Sequence, residues 1–206
     1  MKILIFLLFL LALSGCKTPQ AIPVVSGFET DKYLGQWYEI ARLPNWFEDG
    51  MSDVSAEYSR QPDNSLQVIN RGMKNGKKKS VTGKIRQHGK SDTGELEVSF
   101  FWPFYASYRI IKLAPDYRYS VVMGDTPEYL WILSRTPHLA PADLQEIITF
   151  LETHGFPVDK LIFFSNCFVN PVIDLSGIFI EIYSDKHDLF AGIHITPEIV
   201  AFPDLG

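Results

Sequence analysis

A chain of 206 residues with 19 basic and 24 acidic side chains carries a net charge of -5, with 46% hydrophobic and 14% aromatic residues. This composition supplies a sizeable core for one domain and excludes the basic footprint of a nucleic-acid-binding protein. Two cysteines, Cys16 and Cys167, allow at most one bridge, too few for a disulfide scaffold.

The N-terminus has the layout of an export signal: Lys2, an apolar run over residues 3–13, then small residues. Eleven apolar residues are too few to span a bilayer, which takes about twenty. Leu13-Ser14-Gly15-Cys16 resembles the lipobox at which bacterial lipoproteins are cut. The resemblance implies a signal peptide over 1–15, acylation of Cys16, and attachment to a membrane through an N-terminal lipid. Several acyl chains, at about 0.8 kcal/mol per buried methylene, suffice for stable anchoring. Lys17 stands where an inner-membrane retention signal resembles aspartate, so the expected location is the outer membrane. With Cys16 acylated, Cys167 has no cysteine partner. Residues 16–29, with two prolines and no periodicity, read as a flexible tether.

From Tyr33 onward β-rich runs recur roughly every 8–12 residues between turn signals, the pattern of an antiparallel sandwich or barrel. In chain order they are QWYEIAR, DVSAEYSR, SLQVINRG, KKSVTGKIRQ, GELEVSF, YASYRIIKL, YRYSVVMG and YLWILSR. Asn75-Gly76 is the sharpest turn, since both residues tolerate positive φ in a two-residue hairpin. Alternation gives each strand two faces: Val54, Ala56 and Tyr58 lie opposite Ser55, Glu57 and Ser59. Next, Leu144, Ile147, Ile148 and Leu151 fall at helical spacing behind Pro141 and Asp143, and Gly155 suits the position past the end. KLIFFS then reads as a last strand. The expected fold is all-β: an eight-stranded antiparallel up-and-down β-barrel with one C-terminal α-helix packed outside, spanning 30–165. From Asn166 six acids accompany one lysine, so 166–206 differs in composition and reads as an atypical extension.

Eight strands, a helix and a final strand resemble the lipocalin family, and three motifs fall in that family's order. YLGQWYEIAR resembles its first signature, Gly-x-Trp; YRYSVVMGD resembles the second, and YLWILSRTP, with Arg135, the third. The wording is most similar to the bacterial lipocalins that are outer-membrane lipoproteins, relatives of apolipoprotein D. Alternating strand direction brings Arg135, at the end of the eighth strand, beside Trp37 on the first. There a guanidinium over an indole is worth roughly 0.5–2 kcal/mol. Gly35 is expected where backbones crowd at this closed end. The loops containing Trp46, Phe47, Trp102 and Phe104 then lie at the open mouth, together with Lys77, Lys78 and Lys79.

The resemblance implies a ligand-binding interior with a fatty acid or lysophospholipid as partner, stored or transported in the cell envelope. Strand parity and resemblance together nominate Val54, Ala56, Tyr58, Phe104, Tyr108, Tyr119, Val121 and Trp131 as lining residues. No catalytic motif stands in the chain: there is no Gly-x-Ser-x-Gly, no His-Glu-x-x-His, no phosphate loop and no Cys-x-x-Cys. The expectation is therefore no enzyme, no cofactor and no metal; His187 and His194, near Asp185 and Asp188, read as solvated surface. A lipid-modifying enzyme and an envelope scaffold without cargo are the competing classes. Exposed mouth aromatics also permit a homodimer.

Overall fold

The structure of the chain, a computed structural model, describes residues 22–164. The expected signal peptide, Cys16 and the extension with Cys167 lie outside the described residues. A short helix α1 (Thr30–Tyr33) precedes eight strands: β1 (Gly35–Arg42), β2 (Met51–Arg60), β3 (Leu66–Lys74), β4 (Lys77–Gln87), β5 (Glu95–Phe101), β6 (Phe104–Leu113), β7 (Tyr119–Met123) and β8 (Leu130–Ser134). Helix α2 (Pro141–Thr153), a 3-10 turn (Val158–Lys160) and strand β9 (Ile162–Phe163) follow. Sequential strands pair antiparallel from β2 to β8, β8 pairs β1, and β1 returns to β2 through Gly35–Tyr38, closing the barrel. Beyond Tyr38 the same edge of β1 no longer holds β2; Ala41 and Arg42 pair with β9 instead.

Local chemistry fixes the connections. Asn75 and Gly76 have φ of 51° and 70°, so the two-residue β3–β4 turn takes the mirror-image geometry that matches strand twist. Gly35 has φ of +95°, and a Cβ there would meet Arg135 only at 3.4 Å. The position therefore needs glycine for its backbone angle, a correction to the expectation of crowding.

Two apolar clusters lie on the two faces of the sheet. The inner one holds Trp37, Ala56, Tyr58, Val68, Leu96, Ile110, Val122 and Leu133, among others, and fills the lower barrel. The outer one joins Ile40, Tyr119, Val121 and Ile132 to α2 through Leu144, Ile147, Ile148 and Leu151. Each of those helix side chains, buried, contributes about 1.5–3 kcal/mol of transfer free energy. Arg118 fixes the start of the helix by donating from Nε and Nη2 to the two oxygens of Asp143, at 2.9 and 2.7 Å.

The chain docks earlier than the composition of 16–29 suggests. Ile22 is buried, the Val25 amide donates to the Ile110 carbonyl (2.9 Å), and the Phe28 amide donates to Asp92 (2.9 Å). Residues 22–29 thus run against β5 and β6 before α1 crosses the barrel floor, and the described part of the expected tether is bound, a correction to that reading.

Candidate ligand site in the barrel interior

At the floor, α1 delivers Tyr33 into the barrel two residues before Gly35. Trp37 is fully buried; its Nε1 donates to the Tyr33 carbonyl (2.8 Å), and the two rings stand 4.6 Å apart. The Arg135 guanidinium lies 4.0 Å from the centre of the Trp37 ring and donates to the carbonyls of Leu34, Gln36 and Lys32 at 2.8, 3.1 and 2.5 Å. One cation therefore joins the entering segment, β1 and the end of β8 while covering the indole from outside.

Above Trp37 four hydroxyls form a chain. The Tyr33 phenol donates to Ser120 Oγ (3.1 Å), which leaves Tyr108 to donate to Tyr33 and Tyr58 to donate to Tyr108, both at 2.8 Å. Every phenolic hydrogen is thereby spent inside the chain. Burial is the main reason all three phenols are held above their ordinary range, with Tyr33 pushed up to about 12. They are neutral across ordinary pH, and the deep end offers rings and acceptor oxygens but no unspent phenolic donor.

Strand pairing assigns the nominated residues to faces. Ala56 and Tyr58 face inward, paired through Trp37↔Ala56 and Gly35↔Tyr58. Val54 packs beside Gly72, where a Cβ would stand 3.2 Å from its Cγ2. Tyr108 and Trp131 lie against the inner cluster, while Phe104 is 76% exposed at the rim. Tyr119 and Val121 do not line the interior: they belong to the outer cluster under α2, and Ser120 and Val122 face inward in their place. The cause is that all five residues of β7 are buried, so its one polar residue, Ser120, turns inward to Tyr33 and does not mark a solvent face.

Burial along the inner face falls from floor to mouth. Tyr33, Tyr58, Val68 and Leu96 are buried, Val98, Phe100 and Tyr108 are half-buried, and Val81 and Ala106 are exposed. Bare glycine backbone makes room for this lining: a Cβ on Gly83 would stand 2.8 Å from the Phe100 ring.

The mouth is built differently. A bulge between Glu39 and Ala41 breaks the β1 alternation, so that Glu39 pairs with Leu133 and Arg42 with Trp131, both inward positions. Arg42 Nη1 donates to Glu39 (2.7 Å) and Nη2 to the carbonyl of Glu48 (2.7 Å), and the Phe164 ring lies 4.7 Å from the guanidinium. The Glu48 carboxylate accepts from Trp131 Nε1 (2.9 Å) and Asn45 (2.7 Å). Burial, followed by the nearby Glu48 charge, pushes the Glu39 carboxyl up to about 8 against the opposing pull of Arg42. Phe47, Tyr129 and Trp131 gather over this network, with ring centroids 6.1–6.5 Å apart. Among the described residues no group of three His, Cys, Asp or Glu side chains stands as a metal site.

A family model for the lipocalin-like domain matches residues 28–166. The chain belongs to the lipocalin family. Relatives of this lipocalin include the outer membrane lipoprotein Blc of Vibrio cholerae, 41% identical over 167 residues, covering 79% of this chain and 98% of that one. Blc of Escherichia coli K12 is 41% identical over 153 residues, covering 73% and 86%, and mouse apolipoprotein D is 32% identical over 158, covering 72% and 81%. Among solved structures, insecticyanin of the tobacco hornworm matches with a TM-score of 0.60 at 20% identity, over 72% of this chain and 86% of that one.

Sequence reasoning missed Tyr33, Ser120, Glu39 and Arg42. Tyr33 precedes the strand pattern, Ser120 sits in a strand with two buried faces, and the inward placement of Arg42 depends on a bulge with no sequence mark.

Proposed function

We propose that this lipocalin binds fatty acids, lysophospholipids or similar apolar molecules, tail first, and stores or transports them in the cell envelope while tethered to the outer membrane through acylated Cys16. The observation that carries the reading is the gradient of the inner face: buried at the floor, where aromatic rings carry hydroxyls bonded to one another, half-open through Phe100 and Tyr108, exposed at the mouth. An acyl chain suits such a lining, and because the deep phenols spend their hydrogens on one another and on Ser120, a carboxylate or phosphate gains less there than it loses on leaving water and stays at the mouth. Val54, Ala56, Tyr58, Tyr108 and Trp131 are the proposed contacts along the chain, with Phe104 at the entrance. The names of the Blc relatives support the envelope location and the anchor.

The test is mass spectrometry of lipids that copurify with the protein from native membranes, followed by titration of delipidated protein with long-chain acyl ligands. Saturable binding at one molecule per barrel is expected. Its absence overturns the reading, and turnover of phospholipid or lipid hydroperoxide would replace a binding protein with an enzyme.

A further inference from the structure

The interior leaves one part of the mouth unused. The 22 residues of the β3–β4 hairpin, 66–87, contain seven basic side chains and no acid. Arg71 pairs with Glu57 and Arg86 with Glu97, but among the described residues Lys74, Lys77, Lys78, Lys79 and Lys84 have no ion-pair partner. The β5–β6 turn beside it presents Phe101, Trp102 and Phe104, each 76–80% exposed. The register joins the two: β4 pairs β5 through Lys84↔Ser99, toward the floor, which carries the β5–β6 turn up alongside β4, while Lys77 and Lys74 pair across the end of the hairpin at the mouth. The opposite rim has the other sign, with exposed Asp49, Asp125 and Glu128 on the β1–β2 and β7–β8 loops.

We propose that the edge formed by the β3–β4 hairpin and the β5–β6 turn docks on an anionic phospholipid bilayer, with Trp102 and its flanking phenylalanines in the headgroup region and the hairpin lysines on the phosphates. Three features select this partner. Lys77 and Lys79 point to one face of β4 and Lys78 to the other, so they do not converge on a small free anion but do meet a charged plane approached by the hairpin tip. Exposed Trp and Phe beside lysine match the interface of a membrane, where an aromatic ring sits at headgroup level. The acidic rim opposite tilts the barrel, so one edge contacts the surface and the other faces water. Docking uses the hairpin tip and the β5–β6 turn, beyond the proposed tail contacts, and vesicle binding without cargo and acyl-ligand binding without vesicles are measured separately, so the failure of one is distinguishable from the failure of the other.

The full chain carrying Cys16→Ser, which cannot be acylated, is tested against vesicles rich in phosphatidylglycerol and against pure phosphatidylcholine. Partition should favour the anionic vesicles, and Lys77→Gln/Lys78→Gln/Lys79→Gln should reduce it about a hundredfold, from ~5-fold per lysine near a charged surface. Salt of about 0.5 M should do the same by screening. With a lipid-borne nitroxide, the emission lost on Trp102→Phe should be the quenched component, whereas that lost on Trp46→Phe should not. Unchanged circular dichroism and thermal midpoint show that the variants are folded. Equal partition into both vesicles, indifference to the lysine changes, or quenching of Trp46 in place of Trp102 overturns the proposal. So does a dimer that hides Trp102 without lipid, or binding to single-stranded nucleic acid with no vesicle partition.

Discussion

The floor and the mouth of this barrel solve opposite problems with the same residue types. At the floor, Trp37, Tyr33 and Tyr58 are buried with Tyr108 half-buried above them, and their polar atoms are committed: the indole to Tyr33, Arg135 to three carbonyls, the phenols to one another and to Ser120. At the mouth, Trp46 and Trp102 are 81% and 80% exposed, and the charged groups are split between a buried Arg42 network and lysines with no ion-pair partner among the described residues. Aromatic content alone thus says little; what differs is whether the polar edge of each ring is tied down. A substitution at the floor is therefore expected to alter stability, and one at the mouth to alter what the protein meets.

Four substitutions test that division, in falling order of effect on stability. Trp37→Ala leaves a cavity under Arg135 and should cost about 3–5 kcal/mol in urea unfolding, with acyl-ligand affinity of the remaining folded protein unchanged. A larger change in ligand affinity than in stability would erase the distinction between the ends. Tyr108→Phe removes the middle of the hydroxyl chain and strands the Tyr58 hydrogen, at about 1–3 kcal/mol. Tail-first binding further requires that fatty acid and fatty alcohol of equal length lose affinity equally in that variant.

Glu39→Gln sharpens the comparison through pH. The Glu39 carboxyl holds its proton to about pH 8 when folded, but only to its ordinary 4.5 when unfolded. The folded state thus binds the extra proton: the stabilisation is complete below pH 4.5, and is lost as pH rises through 8. Thermal midpoints of the parent protein should carry this decline between those limits, while the glutamine variant, which imitates the protonated form, lacks it. Trp102→Ser with Phe104→Ser should change stability by no more than ~0.5 kcal/mol, since both side chains already face water, yet slow the uptake of acyl ligand from vesicles. Stopped-flow transfer from labelled vesicles reads that rate.

How much of this is legible in the sequence depends on whether a residue has a polar neighbour to mark its face. The eight barrel strands start and end within two residues of the runs read from the sequence, because Asn-Gly, Pro-Asp and similar breaks punctuate an alternating pattern. Ala56 and Tyr58 were placed by the serines and glutamate between them. Tyr119 and Val121 were misplaced because Ser120, the polar residue between them, turns into the barrel to meet Tyr33 and not outward to water. Arg42 was invisible for a different reason: a one-residue bulge reverses parity, and only hydrogen-bond register reveals it. Strand count and turn chemistry are local and readable, whereas the lining of a site depends on a parity that one bulge or one doubly buried strand can invert.

The divided edge of β1 has a consequence for cargo. The seam between the first and second strands is fastened by four residue pairs at its lower end, and above them β1 turns to β9. A vessel joined so is rigid where it is narrow and compliant where it is wide. Under the proposed tail-first binding, such a vessel should measure a tail against a fixed bottom and tolerate bulk at the rim, so molecules with one tail and differing heads are expected to be admitted on similar terms.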